Sequence, residues 1–126
     1  MKLLLDTHIL LWSAADTLPA NAAKYVLDES NILYFSTASV WEIVIKTGLN
    51  RTTFRVDPFA MYSGLLDSGY EEMPITSRHA LAVLSLPDIH KDPFDRIILA
   101  QSITEGIQLL TADTRLAGYP APVIIV

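Results

Sequence analysis

Short apolar runs alternate along the chain with longer stretches whose apolar residues recur at helical spacing. The first run, Leu3-Leu4-Leu5, stops at Asp6. Three leucines in succession suit a strand buried on both faces, as in the middle of a parallel sheet. Ile9, Leu10, Leu11 and Trp12 then start a helix that fades near Ala14 and Ala15. A second helix has Pro19 in its first turn, takes Ala22, Ala23, Val26 and Leu27 as its stripe, and ends at Ser30-Asn31. Ile32-Leu33-Tyr34-Phe35 reads as a strand. Ser36-Thr37 opens a third helix with Ala38, Trp41, Val44 and Ile45 as its apolar positions, closed by Gly48. Residues 50–57 read as a loop or short extended piece.

Asp57-Pro58 pairs an N-cap with a proline at the first helical position, and Phe59, Tyr62, Leu65 and Leu66 continue that helix to Ser68-Gly69. A short strand or edge segment is expected over 71–75. Thr76 or Ser77 caps a short helix carrying Ala80, Val83 and Leu84, which Leu86-Pro87 ends. Asp92-Pro93 opens a longer helix with Ile97, Ile98, Ala100 and Ile103, closed by Gly106. Ile107-Gln108-Leu109-Leu110 is a buried strand, and Val123-Ile124-Ile125-Val126 is the last. Strands alternating with helices predict an α/β fold, a parallel sheet with right-handed crossovers and helices on both faces. At 126 residues, without repeats or linkers, the chain reads as one domain over 1–126.

Composition narrows the picture. The chain is 51% hydrophobic and 18% charged, which argues against disorder. It has no cysteine, hence no disulfide framework and no thiolate metal site. The N-terminal apolar run lacks a basic lead and is broken by Asp6 and His8, so it does not read as a signal peptide. No apolar run approaches the roughly 20 residues that span a bilayer. The expectation is a soluble cytoplasmic protein with no membrane partner. A net charge of −5 gives no global attraction to nucleic acid. A polyanionic substrate would therefore need local basic residues or bound cations.

Four carboxylates stand where such cations could bind. Asp6 and Asp113 follow buried strands at their carboxyl ends. Glu42 lies on the helix after the second strand, and Asp95 in the first turn of the helix that leads to the Ile107 strand. Helices of a parallel sheet start near the carboxyl ends of its strands, so all four can face one crevice. Carboxylates so close together raise one another's pKa and stay ionised together only around a cation. All-oxygen ligation favours Mg²⁺ or Mn²⁺, which suits phosphodiester hydrolysis by an activated water. Each acid also has a plainer role. Asp6 and Asp113 can cap the helical turns that follow them, Asp92 can cap the helix that holds Asp95, and Glu42 can pair with Lys46 one turn on. Thr111 can orient a water. Lys46, Arg96 and His90 are candidates for substrate contact, and Arg51, Arg55, Arg78, Lys91 and Arg96 for a local basic rim.

Leu4-Leu5-Asp6-Thr7-His8, Ser39-Val40-Trp41-Glu42-Ile43, His90-Lys91-Asp92-Pro93-Phe94-Asp95-Arg96 and Leu110-Thr111-Ala112-Asp113, in that order, resemble the PIN-domain nucleases. The resemblance is strongest to the VapC-like toxins of bacterial type II toxin–antitoxin systems and runs nearly the whole chain. It implies a three-layer α/β/α fold with a five-stranded parallel sheet. It implies metal ligation by Asp6, Glu42, Asp95 and Asp113, with Thr111 at the active-site hydroxyl position. The activity would be Mg²⁺- or Mn²⁺-dependent endoribonuclease cleavage of structured RNA by a homodimer. A VapB-like antitoxin would hold it inactive with a tail in the groove. Two other classes remain open: a metal-dependent phosphatase on a similar sheet, and a binding module whose acids serve as caps. His8, where a haloacid-dehalogenase phosphatase needs a second Asp, argues against the former.

Overall fold

In the computed structural model, residues 1–49 and 56–126 are described. Five strands, β1 (Lys2–Leu5), β2 (Ile32–Ser36), β3 (Glu71–Met73), β4 (Gln108–Thr111) and β5 (Val123–Ile125), form one sheet. The order is β3-β2-β1-β4-β5 and every pairing is parallel. Among the described residues six α-helices accompany them: α1 (Thr7–Ala14), α2 (Ala20–Val26), α3 (Thr37–Gly48), α4 (Pro58–Asp67), α5 (Ser77–Ala82) and α6 (Pro93–Glu105). Short 3₁₀ turns cover Val83–Ser85 and Thr114–Gly118. This is the expected three-layer α/β/α arrangement.

The leucine run explains why β1 is central. Leu3, Leu4 and Leu5 are all fully buried. Leu3 and Leu5 join one core with Ile9 and Leu10 of α1, Ala22 and Val26 of α2, Ile43 of α3, and Met61 and Leu65 of α4. Leu4 points the other way, into a second core with Ala38, Ile98, Leu99, Leu109 and Leu116. Alternation along a strand thus feeds two helical layers. The chain passes from β1 to β2 on one side, while β4 pairs on the other. The β1–β4 seam is therefore where the strand order reverses, the place at which such sheets open a crevice beyond their carboxyl ends.

Several boundaries and faces differ from the pattern. Strand β3 stops at Met73 rather than continuing to residue 75, because Pro74 has no N–H for the ladder. Strand β4 is displaced by one residue: Ile107 N donates to Ser102 O and closes α6, where Gly106 takes φ 65°, while Thr111 stays in the sheet. Pro19 is the residue before α2 rather than part of its first turn. Val83 and Leu84 lie in a 3₁₀ turn, and Leu84 is 86% exposed; His79 is the buried residue of α5. The largest difference is the rotation of α3. Its expected apolar stripe includes Trp41 and Val44, yet these face solvent, and the buried face carries Ala38, Ser39, Glu42 and Ile43. The expected loop over 50–57 falls mostly on residues outside the described ones.

The two-sided burial of β1 has a measurable consequence. Leu4→Ala should lower unfolding free energy by about 2–5 kcal/mol in urea titrations, whereas Leu84→Ala should change it by less than about 0.5 kcal/mol.

Candidate active site

The acids meet at the carboxyl edge of β1 and β4. Asp6 follows β1, and its backbone N–H still pairs with Leu110 O at 3.0 Å. Its side chain caps α1 through Oδ1, which accepts from Ile9 N at 3.0 Å. Its other oxygen, Oδ2, accepts from the Thr111 hydroxyl. Thr111 Oγ1 in turn accepts from Asp113 N at 3.0 Å. One fully buried hydroxyl thus locks together the ends of two adjacent strands that lie far apart in the chain. Asp6 caps α1 with one oxygen and presents the other to Thr111, so capping does not exclude a role at the site.

Glu42 is 5% exposed, although it sits on a helix whose sequence puts larger apolar residues on the other face. Two contacts hold it there. Thr7 Oγ1, in the first turn of α1, donates to Glu42 Oε1 at 2.6 Å and lies 3.0 Å from Ser39 Oγ. Lys46 Nζ donates to Glu42 Oε2 at 2.6 Å. Lys46 is therefore placed on an acid of the site.

Asp92 and Asp95 divide two tasks. Asp92 Oδ1 caps α6, accepting from Phe94 N at 2.8 Å and Asp95 N at 3.2 Å. Asp95 is left to face the crevice, where its Oδ2 is hydrogen-bonded to His90 Nε2 at 2.8 Å. The same His90 nitrogen lies 3.9 Å from Asp113 Oδ2. Asp113 caps the Thr114–Gly118 turn through Arg115 N at 3.0 Å, and Arg115 grips its carboxylate with Nε at 3.0 Å and Nη2 at 2.8 Å. The sequence reading gave Arg115 no role at the site. An arginine two residues after a turn-capping aspartate was the available signal. Arg96, expected at the substrate, donates to the carbonyls of Pro87 at 2.9 Å, His90 at 3.3 Å and Val83 at 3.3 Å, and so braces the loop before α6.

Electrostatics tie the acids into one system. Burial pushes the Asp95 carboxyl up from 3.8 to about 6; Asp92, Glu42 and Asp6 add to the rise and His90 opposes it. Burial also raises Asp6, against its hydrogen bonds from Thr111 and Ile9 and the opposing pull of His8, with Asp113 adding repulsion. Asp113 is held below its ordinary value, chiefly by the Arg115 hydrogen bond. Acids that resist ionisation in a crevice have most to gain from a cation. The donor set fits one: a donor atom from each of His90, Asp95 and Asp113 lies within 4.8 Å of the other two. Asp6 and Glu42 line the same crevice with oxygens suited to a hard divalent ion. Of the expected basic rim, Arg78 and Lys91 are exposed, and Arg51 and Arg55 lie outside the described residues.

The comparisons with known proteins agree with this geometry. The PIN domain model matches residues 3–121, and the chain belongs to that family. The sequence is 28% identical over 126 residues to Ribonuclease VapC22 of Mycobacterium tuberculosis, covering 97% of this chain and 96% of that protein. The fold is similar to that in the crystal structure of VapBC2 from Rickettsia felis bound to a DNA fragment from their promoter. That match has a TM-score of 0.74 and 16% identity, and covers 100% of this chain and 98% of the other. DNA-bound VapBC from Salmonella typhimurium is similar too, with TM-score 0.72, 15% identity and coverage of 99% and 98%.

The raised Asp95 pKa predicts a pH dependence of known sign. The native state holds this proton more tightly than the unfolded chain does. The metal-free protein should therefore lose stability as pH rises from 3.8 to about 6. The loss from this group is on the order of 3 kcal/mol. Urea titrations in chelator should show a flatter profile over that window for Asp95→Asn. Millimolar Mn²⁺ should restore stability to the natural chain at neutral pH by binding the native state.

Proposed function

We propose that this chain is a metal-dependent endoribonuclease and the toxin of a VapBC-type pair. The observation that carries the reading is the convergence of Asp6, Glu42, Asp95 and Asp113, from four different elements, at the β1–β4 switch point. Asp6, Glu42, Asp95 and Asp113 hold Mg²⁺ or Mn²⁺, whose chemistry there is to acidify a water and offset phosphate charge. Thr111 fixes the Asp6 carboxylate, which ties the ends of β1 and β4 together, and accepts from the Asp113 backbone to shape the turn after β4. Thr7 and Ser39 keep Glu42 turned inward. Lys46 and Arg115 set positive charge at two edges of the acids, where an RNA phosphate backbone passes, and His90 reaches the same crevice. Arg96 acts on the substrate indirectly, by bracing the loop that carries His90.

The relationship to a ribonuclease and to VapBC complexes supports a VapB-like antitoxin as partner. A groove of about 590 Å³ between α1, α2 and α4, of mixed lining, offers surface for one; Leu27, 73% exposed, lines it with Ala60, Ser13 and Asp57. The proposal includes a homodimer and a cytoplasmic setting. Among the described residues no helix is long and apolar enough to cross a membrane.

The test is RNA cleavage by purified protein with Mn²⁺ or Mg²⁺. Asp95→Asn and Asp6→Asn should each reduce the rate by about two orders of magnitude or more, the scale of one positioned catalytic group. Asp92→Asn should leave it roughly unchanged, because asparagine caps a helix as well as aspartate does. Full activity in Asp95→Asn, or equal losses in Asp92→Asn and Asp95→Asn, would sink the assignment.

A further inference from the structure

We propose that His90 is a nitrogen ligand of the metal centre, and that Tyr119 is the residue that positions it. This rests on the metal-dependent reading given above and adds to it a ligand that the four acids do not supply.

The geometry comes first. His90 Nε2 is 2.8 Å from Asp95 Oδ2 and 3.9 Å from Asp113 Oδ2. A donor atom from each of the three residues lies within 4.8 Å of the other two, so one ion could take the place of the proton that His90 and Asp95 now share. His90 is also the sole histidine in the one cluster of potential metal-binding groups found among the described residues.

The second observation concerns the backbone. Tyr119 Oη accepts from His90 N at 2.8 Å and donates to His90 O at 3.2 Å, so one hydroxyl clasps both polar groups of the residue. Arg96 Nη1 also donates to His90 O. Tyr119 is 5% exposed and packs in the Leu4–Leu116 core, so the clasp is anchored in the interior. The loop carrying His90 is thus held from the tail of the chain and from α6 together. Such fixing is what a metal ligand needs, and loss of an outer partner of this kind lowers metal affinity by about 10–100-fold. An imidazole also changes which ion is preferred. Mg²⁺ favours oxygen donors, whereas Mn²⁺ and the later divalent metals accept nitrogen. The centre should therefore select Mn²⁺ over Mg²⁺.

The experiment uses the full chain with Mn²⁺ as probe, read by pulsed electron paramagnetic resonance and by calorimetric titration. The natural sequence should show nitrogen hyperfine coupling to bound Mn²⁺. His90→Gln should abolish that coupling and weaken Mn²⁺ binding by about tenfold or more, with a smaller change for Mg²⁺. His8→Gln, at the other histidine near the acids, should leave the coupling intact. Tyr119→Phe should keep a nitrogen signal but lower Mn²⁺ affinity by about tenfold. Mn²⁺ bound without nitrogen coupling, or coupling that survives His90→Gln, overturns this inference and leaves the acidic metal centre standing. No Mn²⁺ binding at all overturns both.

Discussion

Negative charge gathered in a partly dry crevice is the constraint around which this molecule is arranged. Asp6, Glu42 and Asp95 each lie where water cannot fully solvate a carboxylate, and the charges of Glu42 and Asp6 help raise the Asp95 carboxyl. Left to themselves such groups would neutralise or move apart. They stay because rigid elements hold them. Asp6 is fixed by the sheet, the α1 cap and Thr111; Glu42 by Thr7 and Lys46; Asp113 by its turn and Arg115. The amino ends of α1 and α6 add favourable local dipoles, which partly offset the repulsion.

The arrangement also reconciles an acidic protein with an anionic substrate class. A net charge of −5 includes the acids of the site itself. A divalent cation among them would offset much of that local charge without altering the distant surface. Lys46 and Arg115 already sit on two of these acids, so positive charge is present at the edges before any metal arrives. Global charge therefore says little about what this crevice attracts.

Positioning comes from hydrogen bonds that tie separate segments together behind the crevice. Thr111 joins the ends of β1 and β4, Arg96 and Tyr119 brace the loop before α6, and Gln101 donates to the Met73 and Pro74 carbonyls to fasten the exit of β3. Thr111, Tyr119 and Gln101 link segments far apart in sequence, while Arg96 ties its own helix to the loop just before it.

The sequence by itself determined the layers and their order of appearance, since a buried leucine run and a helical stripe are local patterns that burial rewards wherever they occur. It also marked Asp6, Glu42, Asp95 and Asp113, because residues that follow strands or open helices of a parallel sheet have few places to go. It favoured Asp92 as the cap, with proline at the next position opening the helix. The face of α3 was decided only in three dimensions. Apolar spacing pointed Trp41 and Val44 inward, but the cores take Ala38 and Ile43 instead, and Thr7 of α1 meets Glu42 on that same buried side. The partners of His90, Arg96 and Tyr119 were equally hidden. Their contacts depend on where two distant loops dock, and no local periodicity encodes a meeting between side chains that only the closed sheet brings together.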